Sequence, residues 1–236
     1  EGWTEVGDRD LILGASGRAA PYMRSWAQRQ EPAVMFMTSV TFIDLAGEDL
    51  KDLIARAARD LPFPVLYVAT PGFGGDMFRG YASAMEAVLK QMEWKNAEPV
   101  EKQVGLLGYW FDRYEQDHSA NMSHLKKLLS VLGLSLGPSL FNGAPYETLM
   151  KFPTNDVLVD LPYTRPRHKA IQRQCKGREV VSTDLPMGLN GTSRWLRTIA
   201  EATGTWTPSI QMRIKRMEDA TRNKIGVMVD RWRGMK

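Results

Sequence analysis

Hydrophobic and polar positions alternate along the chain in two rhythms, one of strands and one of amphipathic helices. Val34–Met37 reads as a short strand. From Gly47 to about Asp60, Leu50, Leu53, Ile54, Ala57 and Ala58 recur at helical spacing and predict a helix with one apolar face. Pro64–Ala69 is a continuous apolar run, the pattern of a strand covered on both faces. After the loop Thr70–Asp76, Tyr81–Met92 returns to helical spacing through Ala84, Met85, Val88, Leu89 and Met92. The polar stretch Glu93–Lys102, with Pro99 inside it, interrupts the rhythm and is read as a domain boundary.

The second half repeats the scheme. Val104–Leu107 predicts a strand, and Ser119–Leu132 a helix with Met122, Leu125, Leu128, Leu129 and Leu132 as its stripe and Gly133 as its stop. Pro145–Phe152 reads as a short helix, Asp156–Val159 as a strand, Arg167–Cys175 as a helix and Glu179–Ser182 as a strand. Beyond the loop Pro186–Gly191, Thr192 or Ser193 is expected to cap a helix carrying Trp195, Leu196, Ile199 and Ala200. A long basic helix from Ser209 to about Val229 closes the chain. Strand, loop and helix in regular succession predict an α/β fold of two doubly wound, parallel-sheet, Rossmann-like domains. The expected division is 1–98, 99–207 and a C-terminal basic helix over 208–236.

Composition narrows the chemistry. The 236 residues are 43% hydrophobic and 25% charged, enough to bury a core. No apolar run approaches the roughly 20 residues of a membrane span, so no membrane partner is expected. The single cysteine, Cys175, excludes an internal disulfide framework and a zinc or iron–sulfur site built from several thiolates of this chain. It also points to a reducing, cytoplasmic setting. A net charge of +4 is mild. Its basic clusters lie at Tyr163–Lys169, Arg173–Arg178 and Arg213–Lys236, without the interleaved aromatics of a nucleic-acid surface, so a nucleic-acid partner is not expected.

In parallel sheets, ligands bind at loops beyond the carboxyl ends of the strands. Four loops qualify: Thr70–Asp76, Gly108–His118, Leu161–His168 and Leu185–Thr192. Thr70–Gly75 holds Pro71, Gly72, Gly74 and Gly75 between a buried strand and a helix. Such a loop either brings backbone N–H groups close to an anion or simply turns tightly. No Gly-Lys-Ser/Thr follows, so it is not a P-loop. Gly188, Gly191 and Thr192 raise the same pair of readings. Arg165, Arg167 and His168 form a basic run suited to an anion. The three histidines fall in separate segments, so no metal site is assigned, and no catalytic triad can be read. Catalytic residues are therefore unassigned.

Several segments together resemble the component 1 family of nitrogenase-like oxidoreductases. Met37–Leu50 (MTSVTFIDLAGEDL) is similar to that family's Thr-Ser/Thr-Cys…Gly-Asp-Asp-Leu segment. Val68–Asp76 followed by Gly80 and Tyr81 is similar to its Thr-Pro-x-Phe-x-Gly…Gly-Trp/Tyr motif. Val104–Gly108 with Leu125–Gly133 is similar to its strand, glycine and Leu-Gly-ending helix. Asp184–Thr192 through Leu196, then Arg213, Arg216, Asp219 and Ala220, resemble the stretch before its last domain. The resemblance implies an oxidoreductase component in a multi-subunit electron-transfer complex. Its partners would be a homologous component 1-type subunit and an iron–sulfur ATPase reductase.

Carried over by position, the resemblance brings no ligands with it. The family's cluster-ligating cysteines match Thr41 and Thr70, and a cluster-binding serine matches Gly72. Its active-site Gln and His match Phe78 and Ala82, and its second-domain cofactor cysteine falls near Asp160 or Leu161. An iron–sulfur or metallocluster in the full complex would thus not be held by the usual residues of this chain. By the same resemblance, the family's third domain is expected to begin just after Lys236. Three readings stay open: a divergent oxidoreductase subunit or segment, a non-catalytic scaffold for metallocofactor assembly, and a stand-alone α/β protein binding a small anion.

Overall fold

The structure, a computed structural model, describes residues 16–39, 49–109 and 116–234. Thr41, the predicted helix start at Gly47 and residues 110–115 of one candidate loop lie outside the described residues. Among those described, helices and strands alternate. In chain order they are α1 (Ser16–Gln30), β1 (Met35–Thr38), α2 (Leu50–Ala57), β2 (Val65–Val68), α3 (Met77–Leu89), β3 (Val100–Leu107) and α4 (His118–Val131). There follow β4 (Ser135–Leu136), α5 (Tyr146–Leu149), β5 (Asn155–Asp160), α6 (His168–Gln174), β6 (Glu179–Ser182), α7 (Gly188–Ala202) and α8 (Pro208–Arg233). Two compact units result: Glu1–Met92 with Arg165–Gln174, and Glu93–Thr164 with Cys175–Lys236.

In the first unit, β1 and β2 pair in parallel, Met35 opposite Val65 through Thr38 opposite Val68. Met23, Met35, Ile54 and Ala57 form a small core, with Trp26, Leu53 and Tyr67 packed against it. The helix α1 has no counterpart in the sequence reading. Its inward residues Ala19, Met23 and Trp26 are sparse, and Pro21 lies inside it, where proline usually ends a helix. The next helices are set by their caps. Asp49 accepts a hydrogen bond from the Asp52 N–H at 3.1 Å, and Asp76 from the Arg79 N–H at 3.0 Å. The Asp76 cap starts α3 at Met77, a turn before the predicted Tyr81, and the helix ends at Leu89 instead of Met92.

The second unit carries a parallel sheet in the order β4-β3-β5-β6. Strand order reverses between β3 and β5, the topological switch point of a doubly wound sheet. Leu125, Leu128, Leu129 and Leu132 meet Val104, Leu106 and Val159 of the sheet, with Trp195, Leu196 and Ile199 in the same core. Each large apolar side chain so buried contributes roughly 1.5–3 kcal/mol. Gly133, at φ +75, ends α4 as the left-handed residue its position demands.

Three local expectations are corrected. The helix α7 begins at Gly188, so Thr192 lies within it; its hydroxyl donates back to the Pro186 carbonyl at 3.0 Å instead of capping. Gly188 reaches φ +66 without a Cβ penalty, which lets the chain enter the helix a turn early. The predicted helix Pro145–Phe152 divides into α5 and a 3-10 turn at Phe152–Thr154. Arg167 closes a 3-10 turn, Pro162–Arg167, before α6.

Asn155 holds the β3 side of this sheet in register. Its side chain is fully buried, and Nδ2 donates to the Pro138 and Phe152 carbonyls, each at 2.8 Å. The amide occupies the space a Cβ would take at Gly105, where Phe152 Cε2 is also only 2.8 Å away. Gly105→Ala is therefore expected to lower unfolding free energy by about 1–3 kcal/mol, read as a lower urea midpoint at unchanged slope.

Candidate functional site

The loop after β2 is built by its own packing. The Gly74 N–H donates to the Pro71 carbonyl at 2.8 Å, closing a tight turn. A Cβ on Gly74 would stand 2.7 Å from Pro71 Cγ, and one on Gly75 would collide with the aliphatic part of Arg79. Both glycines are thus required by neighbours within the loop and the first turn of α3. The Thr70 hydroxyl donates to the Ser39 carbonyl at 3.2 Å, tying the ends of β1 and β2 together.

Beside this loop lies an open cleft of about 330 Å³, lined by Thr70, Gly72, Gly75, Arg79, Ser83 and Arg167 among others. Thr70, Gly72, Gly75 and Arg167 were singled out in the sequence, and the fold brings them together. Gly74 supports the loop from behind the lining. Arg165 is exposed and His168 half-buried, and neither lines this cleft. Gly188, Gly191 and Thr192 belong to the second unit, at the first turns of α7.

Arg167 also borders a second cleft of about 470 Å³, with Lys51, Tyr67, Glu86 and Lys90 among its lining. Glu86, in the lining of this second cleft, has a side chain only 8% exposed. Its Oε2 accepts from Arg167 Nε at 2.6 Å and Nη2 at 2.5 Å, and its Oε1 pairs with Lys90 Nζ at 2.6 Å. Burial alone would raise the Glu86 pKa, but the hydrogen bonds and charges of Lys90 and Arg167 outweigh it and hold the group below its ordinary 4.5. The Arg167 charge is thereby answered from one side while its fork still borders both clefts. Arg79, Ser83 and Glu86 escaped the sequence reading. The available signal was an acid on the inward face of α3, between Ala82 and Leu89.

At the switch point of the second unit the chain packs closely against Gly108. A Cβ on Gly108 would meet the Leu161 carbonyl at 2.7 Å and Thr164 Cγ2 at 2.8 Å. Asp160, buried, accepts from the Thr164 hydroxyl at 2.5 Å. Cys175 is buried too; desolvation first, then the nearby Asp160 charge, push its thiol up to about 12. Such a group stays protonated and is a poor metal ligand or nucleophile.

Similarity to known proteins fits this architecture. A sequence profile of the nitrogenase component 1 type oxidoreductases matches residues 2–235. The chain belongs to that family. It is 24% identical over 89% of its length to the nitrogenase molybdenum-iron protein beta chain of Nostoc sp. (strain PCC 7120 / SAG 25.82 / UTEX 2576), covering 44% of that protein. It is 21% identical over 64% of its length to the nitrogenase iron-molybdenum cofactor biosynthesis protein NifE of Clostridium pasteurianum, covering 32% of that protein. A solved structure of nitrogenase Cp1 at pH 6.5 superposes with a TM-score of 0.71 at 16% identity, over 95% of this chain and 42% of the other. The chain thus spans less than half the length of these relatives.

The described residues do not fit a family-type iron cluster. Thr70 has committed its hydroxyl to a carbonyl, Gly72 has no side chain, and Ala82 presents a buried methyl group. Soft iron sites want thiolates, and Cys175 is held as a neutral thiol far in sequence from these positions. Among the described residues, no three His, Cys, Asp or Glu side chains gather as a metal site. Among the same residues, no helix is long and apolar enough to cross a membrane.

The ion pair makes stability pH-dependent in one direction. A carboxylate whose folded pKa is depressed contributes stability above its unfolded value of about 4.5 and loses it as pH falls through the folded value. Glu86→Gln is expected to cost about 1.5–3 kcal/mol at pH 7 and to flatten the loss of stability below that range. Urea titrations of both proteins from neutral to acidic pH check this; parallel curves would remove the assignment.

Proposed function

We propose that the chain is a segment or divergent subunit of a nitrogenase component 1-type oxidoreductase, acting in a multi-subunit electron-transfer complex without ligating a cluster through the family's usual cysteines. What carries the reading is Thr70. The resemblance matches it to a family cysteine; here it follows the parallel strand β2, and its hydroxyl already donates to the Ser39 carbonyl. The partners in this reading are a homologous component 1-type subunit and an iron–sulfur ATPase reductase, in a cytoplasmic setting. Any iron–sulfur or other metallocluster would belong to the full complex. A second reading, a scaffold for metallocofactor assembly, is favoured by the NifE relative of Clostridium pasteurianum and by a 25% identical NifN relative of Klebsiella pneumoniae, both named as cofactor biosynthesis proteins.

The test is anaerobic purification of the chain alone and with a component 1-type subunit encoded in the same genome. Alone, it is expected to hold no stoichiometric iron; together, the two are expected to form a stable complex. Within that complex, ATP-dependent reduction by the reductase supports the oxidoreductase role, and delivery of a metallocofactor to a recipient protein supports the scaffold. Stoichiometric iron in the isolated chain, or failure of the two chains to associate, defeats the proposal.

The cleft at Thr70–Gly75 supports a small-anion site as a further reading of the same loop, since Arg79 and Arg167 both line it. Arg167→Ala is expected to weaken inorganic phosphate binding by about tenfold, while Arg165→Ala leaves it unchanged. Calorimetric titration reads both, and equal affinities in all three proteins would dismiss the site.

A further inference from the structure

The segment Arg165–Gln174 belongs to the first unit, but the chain arrives from the second unit at Arg165 and returns to it at Cys175. Both flanks are held within the second unit. Before the segment, Thr164 is buried; its hydroxyl donates to the Asp160 carboxylate at 2.5 Å and its N–H to the Leu161 carbonyl at 3.3 Å. After it, Cys175 is buried, and its carbonyl accepts from the Arg178 N–H at 3.2 Å. The Arg178 guanidinium in turn donates to the Pro153 carbonyl, from Nε at 3.1 Å and from Nη2 at 2.9 Å.

Between these fixed points the segment depends on what it docks against. It consists of the end of a 3-10 turn, with Pro166 inside it, and the seven-residue helix α6. Two turns of helix do not persist alone in water. Among residues 165–174 only Ile171 is buried. The charged tie is the fork of Arg167 on Glu86, a carboxylate that is itself buried on α3. The receiving helix is better secured. It buries Ala82, Met85, Val88 and Leu89 and is capped by Asp76. Elements with little buried apolar surface open separately from the cores they pack on, at free energies below that of global unfolding.

We propose that Arg165–Gln174 is a releasable strap. The Glu86–Arg167 pair latches it on α3, and it opens as one piece between Thr164 and Cys175 while α3 and the second unit's sheet stay folded. Opening withdraws Arg167 from both clefts and leaves Glu86 paired with Lys90. The strap thereby sets the charge that the clefts present. Docked, they share the Arg167 guanidinium; open, Arg79 remains in the first and Lys51 and Lys90 in the second. The inference stands on the packing of the segment itself and rests on neither the family role nor the anion reading above.

Hydrogen exchange of the 236-residue chain at pH 7, read peptide by peptide by mass spectrometry, tests it. In the parent, amides of α6 are expected to exchange faster than those of α3 and β5, at a rate that barely responds to low urea. Glu86→Gln is expected to speed them about tenfold or more, through loss of charged hydrogen bonds. Arg167→Gln should do the same. The double variant should exceed either single by no more than about twofold, because both changes remove one interaction. In every variant β3 and β5 should remain slower than the strap, which also shows that the variants fold. Lys169→Gln, exposed on the same helix, should exchange like the parent. Strap amides that match α3 in rate and urea dependence overturn the inference, because the segment would then open only with its unit. So do unchanged strap exchange in Glu86→Gln, equal acceleration by Lys169→Gln, and a double variant near the product of the singles.

Discussion

A buried carboxylate must be answered by cations, and Glu86 imposes that condition on the first unit. Its position on the inward face of α3 would be untenable alone, because desolvation of a lone ion outweighs any packing gain. Lys90 supplies one partner from the next turn of the same helix. The other, Arg167, comes from a segment 81 residues further along the chain. That pairing accounts for an otherwise odd division: Arg165–Gln174 belongs to the first unit although the residues on both sides of it belong to the second. Ile171, fully buried, adds apolar weight to the same segment. The ion pair also holds Arg167 beside the Thr70–Gly75 loop, whose cleft Arg79 lines as well. One acid on α3 thus fixes the cation that the two clefts share.

What the sequence made legible was local. The apolar run of β2, the leucine stripe of α4 and the glycine stop at Gly133 each rest on residues a few positions apart, and each stands in the fold where periodicity puts it. The Thr70–Gly75 loop was legible for the same reason. Helix starts were less so, because a single cap or left-handed glycine moves them by a turn, as Asp76 and Gly188 do. The helix α1 was hidden by Pro21 and by an apolar face too thin to stand out. Long-range pairings could not be read at all. Nothing near Glu86 announces Arg167, and nothing near Gly105 announces that Asn155 will fill its missing side chain.

The chemistry of the loop is set by what its donors are already doing. A hydroxyl bonded to a carbonyl has spent its proton on fold stability, and it differs from a thiolate in softness as well as charge. The lone thiol of the chain is disarmed separately, by burial beside Asp160. Family membership alone does not fix the chemistry at this loop, since a fold is a frame on which different sites can be placed. The parallel strands, the glycine turn and the helix after it stand in this chain, and Thr70, which the resemblance matches to a cysteine, uses its hydroxyl to tie β1 to β2.

Electrostatics then separates two regions that composition merges. A net charge of +4 suggests a faintly basic protein, but the formal excess sits in one helix and the rest of the chain is balanced. In the first unit, Arg167 and Lys90 are offset at close range by Glu86, so their reach into solvent is short. In α8, Lys215 finds such an answer, at 3.4 Å from Asp219, whereas Arg213, Lys224 and Arg231 have no acid three or four residues away. An unanswered field acts over a Debye length of about 8–10 Å and steers what approaches it, whereas an answered one acts on contact. Positive potential and exposed apolar surface coincide along the same half of one helix.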